Sequence, residues 1–597
     1  MTSDPSRTAS TFHGTAYING HATGPLLASS SALSFWGGVN PSTGEIVDRH
    51  HELSARYLQH SVLAIPGGRG SCSASAVVLE LLRNGKGPNA IIFEQREDIL
   101  TLGVMVAEEI FGLSIPIVRL CPSDFRQVLR FGGGACVVVS GGCVTISNKG
   151  SKNGNGCSYG PGIDSGPPRV HDGPASLSPI DRAMLEGAHG EAAAVSMRII
   201  LRMASVLGAD SLMDVSQVHV DGCLYTGPAS LAVAEKLRDC GGRVRVPTSL
   251  NSISIDLNRW RAQGIDPAFA KNAQSLAQAY IDMGARPTFT CAPYQLESAP
   301  KFGEQVAWAE SNAVVYANSV LGARTMKYPD FLDIAIALTG RAPRGGPHID
   351  VNRLASLVVT ITEVSEPRDI DDSFYPLLGY HVGNLAANRI PVIVGISSLA
   401  PTRDNLKAFG AAFATVSSAP MFHILGVTPE ATTLDAVLSK GRDIQSICIS
   451  LDALSSCWDQ LNSALLSQEV GLISLGNPHF SFQEMRQLTQ LCHSRRKRET
   501  VTVIVTCGRA CYSLATQAGL VDALEEFGVQ FVTDTCWCMI GEPIILASDK
   551  AIMTNSAKYA HYGPGLTGRQ FVFGSLAQCV DAACEGDFSR GKPPWLQ

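Results

Sequence analysis

A stretch without periodicity divides this chain. From Gly141 to about Pro179 the sequence turns to Gly, Ser and Pro, and its centre reads Ser147-Asn-Lys-Gly-Ser-Lys-Asn-Gly-Asn-Gly156. Neither the helical nor the strand period appears there, and a structureless loop of that length inside one domain is uncommon. The chain therefore reads as a domain at 1–145, a Gly/Ser/Pro-rich linker at 146–176 and a much larger part at 177–597.

Both sides of the linker read as α/β. Before it, Ser61–Pro66, Ala90–Glu94 and Ile115–Leu120 are short apolar runs with strand character, and Ala74–Arg83 is a helix rich in Ala, Val and Leu. After it, Arg243–Val246 reads as a strand. Ser481 and Glu484 form a capping box for a helix whose Phe482, Met485, Leu488, Leu491 and Cys492 share one face, with Arg495–Arg498 closing it. Of 597 residues 45% are hydrophobic and only 17% charged, against about 25% charged in an average domain. Large cores are expected. A net charge of −6 gives no reason to expect a nucleic acid or an anionic membrane as partner. No apolar run reaches the roughly 18 residues of a membrane span, and Met1–Ser10 lacks the apolar core of a signal peptide. The 17 cysteines, an odd number scattered along the chain, do not resemble a disulfide scaffold, so a reducing, cytoplasmic setting is expected.

Chemistry concentrates in a few segments. Gly67-Gly-Arg-Gly-Ser-Cys-Ser73 follows a strand and precedes a helix, so its backbone N–H groups are placed to face an anion. Arg69 there is suited to grip a carboxylate and Ser71 to face a reacting atom; a plain tight turn is the competing reading. Glu310–Thr325 packs polar residues among small apolar ones, as a site or a hydrogen-bonded core network does. In Thr554–Tyr562, Lys558 and His561 are spaced to share a helical face. His219, Asp221, His348 and His423 add imidazoles and a carboxylate. Three well-separated cysteines, Cys291, Cys536 and Cys579, are able to hold an iron–sulfur cluster with one open iron, though each also reads as a small buried hydrophobe.

Ser34-Phe-Trp-Gly-Gly-Val39, the Gly-Arg-Gly-Ser71 turn, Thr290-Cys-Ala-Pro-Tyr294, Glu310–Thr325, Gly476-Asn-Pro-His479, Asp534-Thr-Cys536 and Thr554–Tyr562, in this order, resemble the aconitase X family over nearly the whole chain. The resemblance implies an aconitase-like α/β fold: a small swivelling domain followed by a large multi-subdomain catalytic part, fused so that no separate small subunit is needed. It implies a hydro-lyase with an iron–sulfur cluster, 2Fe-2S or a labile larger one, on Cys291, Cys536 and Cys579, with Cys538, Cys507, Cys511 and Cys584 as nearby competitors. Ser71 is the implied catalytic serine, and Lys558 and Glu310 are the further catalytic candidates. Arg69, Gly70, Ser311, Asn312 and His561 are the implied substrate contacts. The fused form and the Gly-Asn-Pro-His version resemble members that dehydrate cis-3-hydroxy-L-proline, a small hydroxy-amino acid, to Δ1-pyrroline-2-carboxylate. Dehydration of mevalonate 5-phosphate is the alternative within the family; a zinc-dependent hydrolase and a non-catalytic binding protein are the alternatives outside it. Asn477 stands where some members carry Cys.

Overall fold

The structure, a computed structural model, describes residues 9–48, 51–148, 176–364, 370–439, 441, 444–462, 469–549, 551–586 and 591–596. Most of the expected linker, 149–175, lies outside them. The chain forms two compact units. One is Met1–Asp214 with Thr226–Arg245 and Pro329–Gly345; the other is Val215–Tyr225, Val246–Tyr328 and Gly346–Gln597.

The first unit is built on an eight-stranded sheet. At its centre His21–Ala28, Val62–Ile65, Ala90–Phe93 and Ile117–Arg119 run parallel. Val62–Ile65 and Ala90–Phe93 are buried at every position, as strands covered on both faces must be. The sheet's two ends are Ser10–His13 and Thr15–Ile18, which are one stretch of chain interrupted only by Gly14. That stretch pairs with Cys143–Ser147 through its first half and with Ile117–Arg119 through its second, closing the sheet into a barrel. Gly14 is required at the bend, because a Cβ there would lie 2.3 Å from the Arg119 carbonyl oxygen. Phe12, Leu26, Val62, Ile92, Val118, Val137 and Ile146 fill the interior. The strands expected at 61–66, 90–94 and 115–120 and the helix Ala74–Arg83 are found in place.

The second unit carries three wholly parallel sheets. The smallest orders Thr248–Leu250, Val218–Val220 and Ala307–Trp308. The second orders His423–Ile424, Pro391–Val394, Leu357–Ile361 and Gln445–Ile449. The largest orders Val529–Thr533, Thr502–Cys507, Val470–Leu475, Ala551–Thr554 and Gln570–Phe573. In chain order that last sheet runs third, second, first, fourth, fifth. The direction of winding reverses between Val470–Leu475 and Ala551–Thr554, and the crevice outside the carboxyl ends at such a reversal is where open parallel sheets bind ligands. The helix Phe482–Cys492 has the expected capping box and buries Met485, Leu488 and Cys492. The basic run Arg495–Arg498 lies past its end rather than in its last turn. The strand expected at Arg243–Val246 instead forms at Thr248–Leu250, because Pro247 supplies no N–H to a ladder and Arg245 N–H is taken by the Ala337 carbonyl.

Candidate active site

Two parallel sheets of the second unit deliver their strand ends to one place. From the five-stranded sheet, Leu475 leads into Gly476-Asn477-Pro478-His479, Thr533 into Asp534-Thr535-Cys536, and Thr554 into Ser556 and the helix Ala557–Thr567 that bears Lys558. Gly476 has φ 97°, and a Cβ on it would sit 2.2 Å from the Thr506 carbonyl oxygen, so only glycine permits this exit from the strand. From the three-stranded sheet, Val220 leads to Asp221, Leu250 to Asn251 and Trp308 to Glu310.

Contacts across these ends build the site. Lys558 Nζ lies 3.1 Å from Glu310 Oε1, and both side chains are more than nine-tenths buried. Glu310 Oε2 accepts from Asn251 Nδ2 at 3.3 Å, and Asn251 also donates to Asp221. Asn312 Nδ2 donates to Glu310 and, at 3.1 Å, to the Cys291 carbonyl, while its Oδ1 accepts from the Tyr294 hydroxyl at 2.9 Å. Burial alone would drive Glu310 toward neutrality, but Lys558 and the Asn312 amide more than offset it and its pKa falls. Burial likewise opposes the charge on Lys558; Glu310 and the neighbouring thiols reverse that and raise its pKa well above the ordinary value. The pair is therefore ionised: a buried cation beside a buried carboxylate.

Three thiols adjoin this pair. Cys291 and Cys538 both hydrogen-bond to Cys536, and those two bonds hold the Cys536 thiol well below its ordinary pKa, with the Lys558 cation assisting. Its neighbours move the other way: burial raises Cys291, and the bond to Cys536 raises Cys538. The His479 backbone N–H points at Cys291 Sγ, 3.3 Å away, and Asn477 Nδ2 lies 3.9 Å from Cys538 Sγ. Two buried polar atoms around these strand ends, Asn477 Oδ1 and Thr535 Oγ1, have no partner within the protein. Buried polar atoms are rarely left so, and both are available to a polar ligand. Thr535 also lines a cavity of about 320 Å³, whose wall carries Asp256, Asp266 and Glu542 and no Lys, Arg or His. That wall does not suit a carboxylate.

The iron–sulfur expectation is overturned. Cys579 does not join Cys291 and Cys536. It is buried in the helix Leu576–Glu585, where it shares the apolar face with Leu576, Val580 and Ala583 and packs into the core under the five-stranded sheet. Its thiol is raised by burial and by Asp372 and Asp581, with neither of the other two cysteines contributing. Cys291, Cys536 and Cys538 form a hydrogen-bonded chain rather than a ligand set, and among the described residues no group of three or more His, Cys, Asp or Glu is arranged to hold a metal ion. The donors present do not fit the expected cluster.

The other predicted residues are placed as follows. Glu310, Asn312 and Lys558 come together, with Ser311 buried beside them at the start of the helix Ser311–Tyr316. His561 lies one turn beyond Lys558, and its Nδ1 is 3.1 Å from the Tyr380 hydroxyl. Ser71, Arg69 and Gly70 belong to the first unit. There Gly70 has φ 89°, Arg69 pairs with Asp48 at 2.9 Å, and Ser71 Oγ is 3.3 Å from Ser73 Oγ. Beneath the turn, the buried Glu97 carboxylate caps the helix Ile99–Phe111 by accepting from Ile99, Leu100 and Thr101 N–H, and burial pushes its pKa up to about 8. Residues that sequence reasoning gave no role are His479, Asn251 and Asn477. Asn477 and His479 lie just past the apolar run Val470–Leu475, which was the available signal for them; Asn251 follows the mixed Thr248-Ser249-Leu250 and had none.

The chain matches all four aconitase X family models: the swivel domain at residues 11–146, the first domain at 174–351, the second at 355–459 and the third at 470–585. It is 60% identical over 587 residues to the cis-3-hydroxy-L-proline dehydratase of Hypocrea jecorina, covering 98% of this chain and 97% of that protein. The protein of the same name from Pseudomonas aeruginosa is 47% identical over 581 residues, covering 97% of each. The phosphomevalonate dehydratase large subunit of Methanocaldococcus jannaschii is 31% identical over 408 residues, covering 68% of this chain and 99% of that one. Among solved structures, the aconitase X of Thermococcus kodakaraensis superposes with a TM-score of 0.61 at 27% identity, over 68% of this chain and all of that one. The fold is that of an aconitase-like α/β protein, with swivel and large parts in one chain. The chain belongs to the aconitase X family. Among the described residues, no helix is long and apolar enough to cross a membrane.

Proposed function

We propose that this protein is a cytoplasmic hydro-lyase that dehydrates cis-3-hydroxy-L-proline. The C2 proton and the C3 hydroxyl leave as water, a C2–C3 double bond forms, and the enamine tautomerises to Δ1-pyrroline-2-carboxylate. The observation that carries this reading is the 60% identity, over 98% of the chain, to a protein of that name.

The chemistry of the site supports it. With hydroxyl and carboxylate cis on the ring, the C2 hydrogen is anti to the C3 hydroxyl, the arrangement an elimination needs. A hydroxyl leaves as water only if it gains a proton or equivalent stabilisation. Lys558, kept ionised in a buried setting by Glu310, is the group we assign to that task. The unpaired Asn477 oxygen suits the ring ammonium, and Ser311, Asn312 and His561 are assigned as further substrate contacts. Ser71 as the base for the C2 proton, and Arg69 with Gly70 as carboxylate contacts, enter through the family resemblance.

The test is turnover in deuterated buffer followed by proton NMR. cis-3-Hydroxy-L-proline is expected to be consumed. trans-4-Hydroxy-L-proline, whose hydroxyl is not β to the acidic C–H, is expected to persist. Ser71→Ala is expected to lose about 10²–10⁴-fold in kcat together with C2 deuterium exchange. Persistence of the cis-3 compound with the parental protein contradicts the reading, and wild-type exchange in Ser71→Ala removes Ser71 from it.

A further inference from the structure

Two residues near the thiols hold backbone conformations that their side chains disfavour. Phe289 has φ 42° and Asp534 φ 67°. Each stands two positions before a thiol of the site: Phe289-Thr290-Cys291 and Asp534-Thr535-Cys536. Asp visits the left-handed region with modest penalty; for a bulky Phe it is an outlier. Such conformations are unfavourable and persist only where the surroundings enforce them.

One side chain touches both. Arg509 opens the helix Arg509–Gln517. Its Nε and Nη2 donate to the two carboxylate oxygens of Asp534, each at 2.7 Å, and its guanidinium lies 4.8 Å from the centre of the Phe289 ring. Asp534 and Phe289 are fully buried, while the Arg509 side chain is 37% exposed. A two-pronged carboxylate pair and a ring contact from one planar group fix position and orientation together. Gly508, just before it, is in contact range of Thr290: a Cβ there would meet Thr290 Oγ1 at 3.1 Å. The Gly508-Arg509 segment thus backs both thiol loops.

We propose that Arg509 is a positioning residue: by pairing with Asp534 while lying over Phe289, it holds the two left-handed turns that set Cys291 against Cys536. The proposal rests on the thiol and Lys558 cluster being the reaction site. It assigns to Arg509 no contact with substrate.

Arg509→Ala is compared with the parental protein in two assays. The first needs no substrate. Iodoacetamide labelling of Cys291 and Cys536, read by peptide mass spectrometry, is expected to quicken about tenfold or more as the loops open. The second is turnover of cis-3-hydroxy-L-proline. There kcat is expected to fall by about 10²-fold with KM little changed, as for an ångström-scale misplacement. Millimolar guanidinium, able to re-enter the partly exposed position, is expected to restore at least a tenth of the parental kcat. Labelling at the parental rate, or a kcat loss that guanidinium leaves untouched, overturns the proposal. A parental protein that does not turn over the hydroxyproline counts against the proposed function instead, and the labelling assay then decides on Arg509 alone. Should Arg509→Ala fail to fold, Arg509→Lys keeps the charge but loses the planar fork. It is expected to show the same faster labelling, and a parental rate there overturns the proposal.

Discussion

His479 Nε2 donates to the carbonyl oxygen of Thr535 at 2.7 Å. A carbonyl only accepts, so Nε2 carries the proton, and Nδ1 is left to accept from Thr290 Oγ1 at 3.2 Å. The ring thus spans the loops that precede Cys291 and Cys536, and burial keeps it neutral by lowering its pKa. His479→Phe keeps the bulk and deletes both bonds, leaving the buried Thr535 carbonyl and Thr290 hydroxyl without them. Its kcat is expected to fall about 10²-fold with a much smaller change in KM. Steady-state kinetics check this; an unchanged kcat removes His479 from the positioning of the thiols.

The ion pair Lys558–Glu310 predicts an asymmetric pair of variants. Lys558→Met leaves a buried carboxylate alone and is expected to destabilise the protein by about 3–5 kcal/mol. Adding Glu310→Gln removes the stranded charge and is expected to return much of that stability, without returning activity. Urea unfolding of the single and double variants measures it. Equal stability losses for both variants contradict a coupled pair.

Cys536 and Cys579 were equivalent in sequence and are not equivalent in the fold. Cys536→Ala removes the thiol that takes hydrogen bonds from Cys291 and Cys538, and activity is expected to fall at least about 10²-fold. Cys579→Ala only trims the core under the five-stranded sheet. It is expected to lose about 1 kcal/mol or somewhat more of stability and to keep kcat. Loss of activity in Cys579→Ala at unchanged stability would restore Cys579 to the site.

Buried histidines make stability depend on pH. Burial lowers His219 to about 4 and His348 to about 3, both below the ordinary imidazole value of 6.5. An unfolded ring takes up a proton near 6.5 while the folded ring does not, so the unfolded state binds more protons as pH falls. The contribution is complete above about pH 6.5 and is lost progressively toward pH 3–4. Between about pH 7 and pH 5 the urea midpoint of the parental protein is expected to fall relative to that of His348→Gln, which lacks this ring. A difference between the two midpoints that stays constant over that range contradicts the burial of a neutral His348 ring.

The first unit was readable because its central strands are continuous apolar runs bounded by turn residues, as Val62–Ile65 and Ala90–Phe93 show. Glu310, Asn312 and Lys558 were readable because polar residues crowd into apolar segments there. Asp221 and Asn251 follow strands of three residues each, too short for a period to register, and their meeting with Glu310 is a product of sheet order. His479 faces the thiols only because the five-stranded sheet reverses its winding beside it. Cys579 was misread because spacing says nothing about which side of an element a thiol takes. The apolar face it shares with Leu576, Val580 and Ala583 was the sign that it belonged to a core.

The most direct measurement is a competition between substrates. The full-length chain is given cis-3-hydroxy-L-proline and mevalonate 5-phosphate in parallel, and kcat/KM is measured for each. Dehydration of the hydroxyproline to Δ1-pyrroline-2-carboxylate, with the phosphate ester left intact, is the predicted result. Turnover of mevalonate 5-phosphate with the hydroxyproline untouched contradicts it.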